Sequence, residues 1–506
     1  MTFIYLGLIF NSMILLIGFY LFQLIYLNIC MSYFNFYSYF LHLPQSIKLI
    51  RESLDVVRHK SVPRNANQLL AVMDLPLFLP AVILYDQNVI LEMEYYANFS
   101  VFTSLVLILL FELFHGLKRK SLFHLVRTYP GSELEVVSNY GTLINLLIDF
   151  CLFHRYDKIT RQFDYGKPLV LKGKKRNKPN FVVIQLESLD SNAIHLCYQG
   201  KSVMPFLHSL SEESIYYPFM LNYHKAGGTS DAEFSIINSV EPLSNFPSIK
   251  IPSYHYKNSF VRLLSENAYH TAVFHGNQGS YYQRDKAFMK MGFDKFYDIK
   301  EMNLKEVGWG APDHEVFQFV IDQIRKQTPP FFYYIISMSN HCRFTNANCY
   351  YQNHEYQSIK NNDLKNFYNS LSYVDTTLKT FVEQVRSSGE ETTIMILGDH
   401  TPGLQKNLYR EASLKIEQRH LEFVPLYIIT PERSIYRQNE IVASFLDIAP
   451  TVLELAGIDT EYTTYGSSLL SPNCLKETIP YRGYFFDRRQ LYKEIEKISS
   501  KEKQPV

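Results

Sequence analysis

A single tryptophan stands against 38 tyrosines and 37 phenylalanines in this chain of 506 residues. That aromatic bias suits a membrane, a core or sugar stacking, and by itself selects no function. Cysteine is also scarce. There are six, and no two form a Cys-x-x-Cys pair, which argues against a zinc ribbon. Charge of one sign is missing as well. Lys and Arg number 50 against 49 Asp and Glu, a net charge of +1, so no nucleic-acid partner is expected from bulk electrostatics.

Charge is absent altogether from residues 3–27, FIYLGLIFNSMILLIGFYLFQLIYL, a run longer than the roughly 20 residues needed to cross a bilayer. The run lacks the basic start and small-residue cleavage site of a signal peptide, so a retained span is expected. Residues 67–85 (with Asp74 and two prolines), 99–117 and the short 141–156 (with Asp149) read as three more. Lys48, Arg51, Arg58, Lys60 and Arg64 lie between the first two, and Lys118, Arg119, Lys120 and Arg127 between the last two. The positive-inside rule turns both loops to the cytoplasm and everything after residue 156 outside. A fifth span within 32–43 would move only the N-terminus. The expected organisation is a transmembrane helical domain over 1–156 with about four spans and a basic linker over 157–179. An outer domain over 180–480 and a C-terminal tail over 481–506 follow, with its charged end, 493–506, expected to fray. Cys342 and Cys349 are close enough for a disulfide in an oxidising exterior.

From residue 180 short apolar runs alternate with amphipathic helical stretches, the pattern of an α/β domain with a mostly parallel sheet flanked by helices. Strands are expected to end at Glu187, at His275, at His341 and at Asp399-His400, with a further strand in VPLYIIT, 424–430. Helices are expected at 203–214, 256–268, 312–326, 363–388 and 447–457. Open α/β sheets bind ligands at the carboxyl ends of their strands. Metal-competent side chains at four strand ends therefore point to one site. Two carboxylates and an imidazole (Glu187, Asp399, His400) suit Mn or Zn, whereas Mg would want more oxygen ligands.

A divalent ion that lowers the pKa of a hydroxyl needs a nucleophile beside it. KAGGTSDAEFSIINSV, residues 225–240, supplies one. Ser230 and Glu233 have the spacing of a capping box, which leaves Thr229 just outside a helix N-terminus, where an anion is favoured. Gly227 and Gly228 allow close backbone approach. Asp313 reads as a helix N-cap, His224 as a satisfied surface histidine, and Trp309 as packing or pocket wall.

The stretches VIQLESLDS, GGTSDAEF, FHGNQGSYYQRDKAFMKMGFDKFYD, GWGAPDHEVF, SMSNH and ILGDHTPG, in order over about residues 180–460, resemble the lipoteichoic acid synthase group. Those proteins are membrane-anchored phosphoglycerol transferases of the sulfatase and alkaline phosphatase superfamily. The resemblance implies Thr229 as nucleophile and metal ligand, with Glu187, Asp399 and His400 completing the metal site. It implies that His341 and Arg284 bind the substrate phosphate and that His275 lines the same pocket. Tyr282 falls where relatives often have Trp, and Asn277 where they often have Asp. Thr229-Ser-Asp is not the Cys/Ser-x-Pro-x-Arg setting of sulfatases proper, which disfavours sulfate-ester hydrolysis.

The expected reaction moves phosphoglycerol from a phospholipid such as phosphatidylglycerol, through a phospho-threonine ester, to an envelope glycan or glycerolphosphate polymer. Phosphoethanolamine transfer and hydrolysis within the same superfamily are the alternatives. A non-catalytic envelope receptor fits poorly with an intact Thr229, Glu187, Asp399 and His400 set. The sequence leaves the oligomeric state open.

Overall fold

The computed structural model describes residues 13–37, 121–128, 133–152, 166–173 and 178–501, apart from 226, 244–245, 252–253, 405–420, 432–436, 439, 471–474 and 483, together with 52, 58, 106, 110 and 112–114. The chain divides into two compact units, Met1–Ile50 with Arg64–Arg161, and Arg51–Pro63 with Gln162–Val506.

In the first unit, helix Met13–Tyr37 spans 25 residues and exposes Ile14, Leu21, Phe22, Ile25 and Ile29. Helices Leu122–Thr128, Glu133–Tyr140 and Thr142–Leu152 share a small core of Leu125, Val136 and Ile148. Among the described residues, no helix is long and apolar enough to cross a membrane. The second expected span lies outside the described residues, and so does most of the third.

The second unit is built on a nine-stranded sheet. Its strands are β1 (Asn180–Leu186), β2 (Ile215–Asn222), β3 (His270–His275), β4 (Lys295–Tyr297), β5 (Phe331–Ile336), β6 (Thr392–Gly398), β7 (Glu422–Ile429), β8 (Arg437–Gln438) and β9 (Ala443–Ser444). The order across the sheet is β8-β2-β7-β6-β1-β5-β3-β4, with β9 also on β2. Only β7 runs against its neighbours β2 and β6; every other pairing is parallel. β1, β5 and β6 are buried along their whole length, as expected of strands covered on both faces. Helices α1 (Gly228–Asn238), α2 (Arg284–Met291), α3 (Asp313–Ile324) and α4 (Asn362–Ser387) follow sheet strands or their loops.

Four of the nine strands, β2, β4, β8 and β9, escaped the sequence reading. β2, IYYPFMLN, has Pro218 in its middle, which demotes a strand prediction because proline has no N–H for the ladder. The structure accommodates it with an irregularity. The register pairs Val424 with Met220 and then Leu426 with Tyr217, so Pro218 and Phe219 lie opposite Pro425 alone. A bulge places both prolines where no ladder bond is required.

Two boundary expectations also change. The stretch read as a linker holds a strand, Lys167–Leu171, paired antiparallel with Thr460–Thr464. The stretch expected to fray is helical as far as the structure describes it: Arg488–Lys501 is a helix that buries Leu491, Tyr492 and Ile495. Its first residue, Arg488, is 1% exposed and bonds both carboxylate oxygens of Asp447 at 2.7 Å. The local sequence is charged and looks solvated, but its apolar residues recur at helical spacing and one arginine has a buried partner. Cys342 and Cys349 are both free rather than bridged. Cys342 is buried and faces the Gly403 carbonyl.

Candidate active site

Parallel strands present their carboxyl ends along one edge, and chemistry gathers there. β1 hands over to Glu187 and β6 to Asp399 and His400, on adjacent strands. The ligand atoms of these three residues lie within 4.8 Å of one another. β2 is parallel to them, so its end at Asn222 delivers residues 223–225, Gly227 and the start of α1 to the same edge. Thr229, the second residue of α1, donates from Oγ1 to Glu187 Oε2 at 2.9 Å and lies 3.5 Å from His400 Nε2. Gly228 makes that approach possible, since a Cβ there would stand 2.7 Å from the His400 ring.

The carboxylates are fixed before any ligand arrives. The Ser188 backbone N–H donates to Asp399 Oδ1 at 2.8 Å, and the Ser188 hydroxyl to Glu187 Oε1 at 2.7 Å. Gln185 bridges the Thr229 carbonyl and Asp399 Oδ2, and its own carbonyl accepts from the Tyr334 hydroxyl. Burial and the neighbouring Glu187 charge push Asp399 up to about 7. Burial also opposes ionisation of Glu187, but His400 overcomes it and holds Glu187 below the usual range. His400 Nε2 sits 3.3 Å from Glu187 Oε1. Although burial works against its charge, Asp399 and Glu187 raise it to about 10. Two buried carboxylates facing one imidazole form a set that fits a divalent cation.

The capping box is not formed. α1 begins at Gly228, one turn earlier than the spacing suggests, and Ser230 lies inside it, donating to the Gly227 carbonyl. Glu233 turns away to meet Arg284, accepting from Nε at 2.9 and 3.1 Å. Both side chains are almost fully buried. A buried guanidinium outcompetes a backbone N–H for that carboxylate. Asp231 ties the loop to the helix by accepting from the N–H groups of Lys225, Gly227 and Ser248.

The remaining expected residues fall as follows. Tyr282, half-buried, stands with its ring 5.4 Å from the Arg284 guanidinium carbon. Asn277 is buried beside β3, its side-chain oxygen accepting from the Gln278 N–H. His275 is 1% exposed, with Nδ1 3.3 Å from the Ile336 carbonyl. Burial and the Arg284 charge lower it to about 3, so it is neutral. His341 lies five residues beyond the end of β5 rather than at it. Asp313 fixes that loop: it is the first residue of α3, not its cap, and it accepts from the N–H groups of Met338 and Ser339. Trp309 is wall, its ring 4.4 Å from His341 and edge-on. Burial lowers the His341 pKa.

Sequence reasoning missed Glu422. As the first residue of the one antiparallel strand, it enters at the edge where the parallel strands leave. It accepts from His224, 2.9 Å away, and from Thr401 beside His400. His224 is therefore buried and paired, with its ring 6.0 Å from that of His400. The signal was only a Glu at the start of an apolar run, which gives no strand direction.

Residues 179–458 match the sulfatase family model. The chain is 27% identical over 373 residues to a lipoteichoic acid synthase of Staphylococcus saprophyticus, covering 69% of this chain and 57% of that protein. Identity to lipoteichoic acid synthase 2 of Bacillus subtilis is 29% over 329 residues, covering 61% and 50%. The chain thus spans about half the length of these curated relatives. Among solved structures, the lipoteichoic acid synthase LtaP from Listeria monocytogenes superposes with a TM-score of 0.57 at 24% identity, over 66% of this chain and 86% of that one. At that identity the superposition speaks for the fold. Since the family model covers more than half of the chain, including every strand that feeds the edge around Thr229, the protein belongs to the sulfatase family.

Proposed function

We propose that this protein is a phosphoglycerol transferase working outside the cytoplasmic membrane. It takes the group from a membrane phospholipid, phosphatidylglycerol in our reading, and passes it to a hydroxyl of an envelope glycan or glycerolphosphate polymer. The observation that carries the reading is the Thr229 hydroxyl, 2.9 Å from Glu187 and 3.5 Å from His400 at the start of a helix. Similarity to lipoteichoic acid synthases supports the cargo.

In the first half-reaction the Thr229 oxygen forms a bond to the lipid phosphorus. The bond from phosphorus to the diacylglycerol oxygen breaks, and diacylglycerol leaves with a proton. In the second, an acceptor hydroxyl attacks the same phosphorus, the threonine–phosphorus bond breaks, and Thr229 recovers its proton. Glu187, Asp399, His400 and the Thr229 hydroxyl would hold a divalent cation, manganese in our reading with zinc or magnesium as alternatives, which when bound supplies charge to the phosphoryl oxygens and acidifies the hydroxyl. Glu187 orients the Thr229 hydroxyl. The positive end of α1 favours the negative charge that grows at Thr229. His341, beside the loop that Asp313 holds and against Trp309, would bind the phosphate or move a proton to the departing oxygen. Arg284 lends positive charge to the same pocket, tempered by its Glu233 partner. His275 and Tyr282 complete the lining.

Multi-pass anchoring completes the reading. Its support is the apolar sequence of the spans and the outward Ile and Leu side chains of helix Met13–Tyr37. A tethered site meets its lipid donor at high effective concentration.

Mass spectrometry of the adduct trapped on Thr229 tests the whole scheme. A phosphoglycerol increment is expected with phosphatidylglycerol as donor. A phosphoethanolamine increment from phosphatidylethanolamine alone would replace the proposed cargo, and no adduct with turnover intact would remove Thr229 as nucleophile.

A further inference from the structure

Beyond the loop that carries His341 lies a second recess, a cleft of about 350 Å³. That is within the range of roughly 300–1,000 Å³ typical of small-molecule sites. Seven of its nine lining residues are Asn or Gln; the others are Tyr356 and Lys365. Among the described residues no carboxylate or imidazole lines it, which removes the donors a metal ion would prefer. One lysine is too little charge for a polyanion. A carboxamide both donates and accepts, and so do the adjacent hydroxyls of a sugar ring.

The floor of the cleft is already ordered. Asn369, 4% exposed on α4, donates to Asn348 Oδ1 at 2.6 Å and to the Tyr351 carbonyl at 2.8 Å. It also accepts from the Asn353 N–H at 2.7 Å. Asn348 donates in turn to Asn366 at 2.6 Å. Amides held by one another lose little freedom when a ligand binds. Gln352, Gln357 and Asn362 stand exposed around this floor as a rim.

The cleft is joined to the active site through one segment. His341 and Asn348 are seven residues apart on it. Between the two sites, Ser370, the neighbour of Asn369, donates to the Ser339 carbonyl, and the Tyr350 hydroxyl donates to Ser339 Oγ. The Trp309 N–H, from the wall beside His341, reaches Asn346 Oδ1.

The geometry points to a binding site for a neutral glycan, recognised through its ring hydroxyls by the Asn and Gln side chains of this cleft. The assignment does not depend on the chemistry proposed for Thr229. It is tested with the full chain, purified in a detergent without a sugar headgroup, by calorimetry and saturation-transfer NMR. Maltotriose and cellotriose serve as α- and β-linked neutral probes, and sn-glycerol 3-phosphate as the anionic one. Saturable binding of at least one trisaccharide is expected, unchanged in Thr229→Ala. It should weaken about tenfold in the rim variant Gln352→Ala/Gln357→Ala/Asn362→Ala, the scale of one or two lost hydrogen bonds. The rim residues are exposed, so that variant folds; a melting curve confirms it. No saturation by either sugar, equal binding in the rim variant, or binding of glycerol phosphate alone would overturn the assignment.

Discussion

The Thr229 hydroxyl points at Glu187, 2.9 Å away, although 42 residues separate them in the chain. Thr229→Ala is expected to lower turnover by on the order of 10³-fold or more and to abolish the covalent adduct. Because the side chain is small and partly exposed, its melting temperature should match the parent. Intact-mass and lipid-release assays on the same preparation check both halves.

Uptake of a divalent cation should expel protons. His400 is raised to about 10, so the stability its pairing gives the metal-free protein is complete below the ordinary imidazole value of 6.5 and lost as pH rises through about 10. Asp399, raised to about 7, behaves alike below that value. Apparent cation affinity is therefore expected to rise about tenfold per pH unit above 7, and more steeply below it. Calorimetry at pH 8 in buffers of different ionisation enthalpy should register about one proton released per site. A pH-independent affinity would contradict the electrostatic account.

Arg284 is expected to serve stability as well as the proposed pocket. Arg284→Ala leaves Glu233 buried without its partner, and burial, which already raises its pKa, then drives it to protonate, a loss of about 3–5 kcal/mol. Turnover should fall while the cation still binds. If thermal unfolding is unchanged, the Glu233 pairing is worth little in solution.

Trp309 is the only tryptophan in the chain and rests against His341. Its fluorescence should change when sn-glycerol 3-phosphate enters the pocket, and not in His341→Ala. Trp309→Ala should lower kcat about ten- to a hundredfold, as expected for a displacement near 1 Å, with cation affinity kept.

The C-terminal helix should matter despite its charged sequence. Arg488→Ala leaves Asp447 buried without its partner, again a loss of about 3–5 kcal/mol. Denaturant unfolding measures it directly, and a change below about 0.5 kcal/mol, the scale of surface substitutions, would mean the helix is loosely held.

Legibility followed the physics of each signal. The strands ending near Glu187, His275 and Asp399 were readable because continuous apolar runs bounded by polar residues are a local property. α4 was readable because its periodicity continues over 26 residues. β2 was not, since a proline in a bulge looks like a break until the partner strand supplies its own. The capping box misled for a related reason. Ser230 and Glu233 satisfied a local rule, while Arg284, 51 residues further on, offered Glu233 a stronger partner. Asp313 and His224 were given local roles, and each proved to hold a distant loop or side chain.

By itself the sequence determined the kind of fold and that Glu187, Asp399 and His400 stand just past strand ends with Thr229 beside a helix start, because strand ends and turn chemistry are written in consecutive residues. Only the tertiary structure decided which carboxylate pairs with which cation, that one strand reverses and brings in Glu422, and that the tail packs. Those outcomes depend on burial. In a dry interior each charged group takes the partner that best repays its lost hydration, and that partner is close in space rather than in sequence.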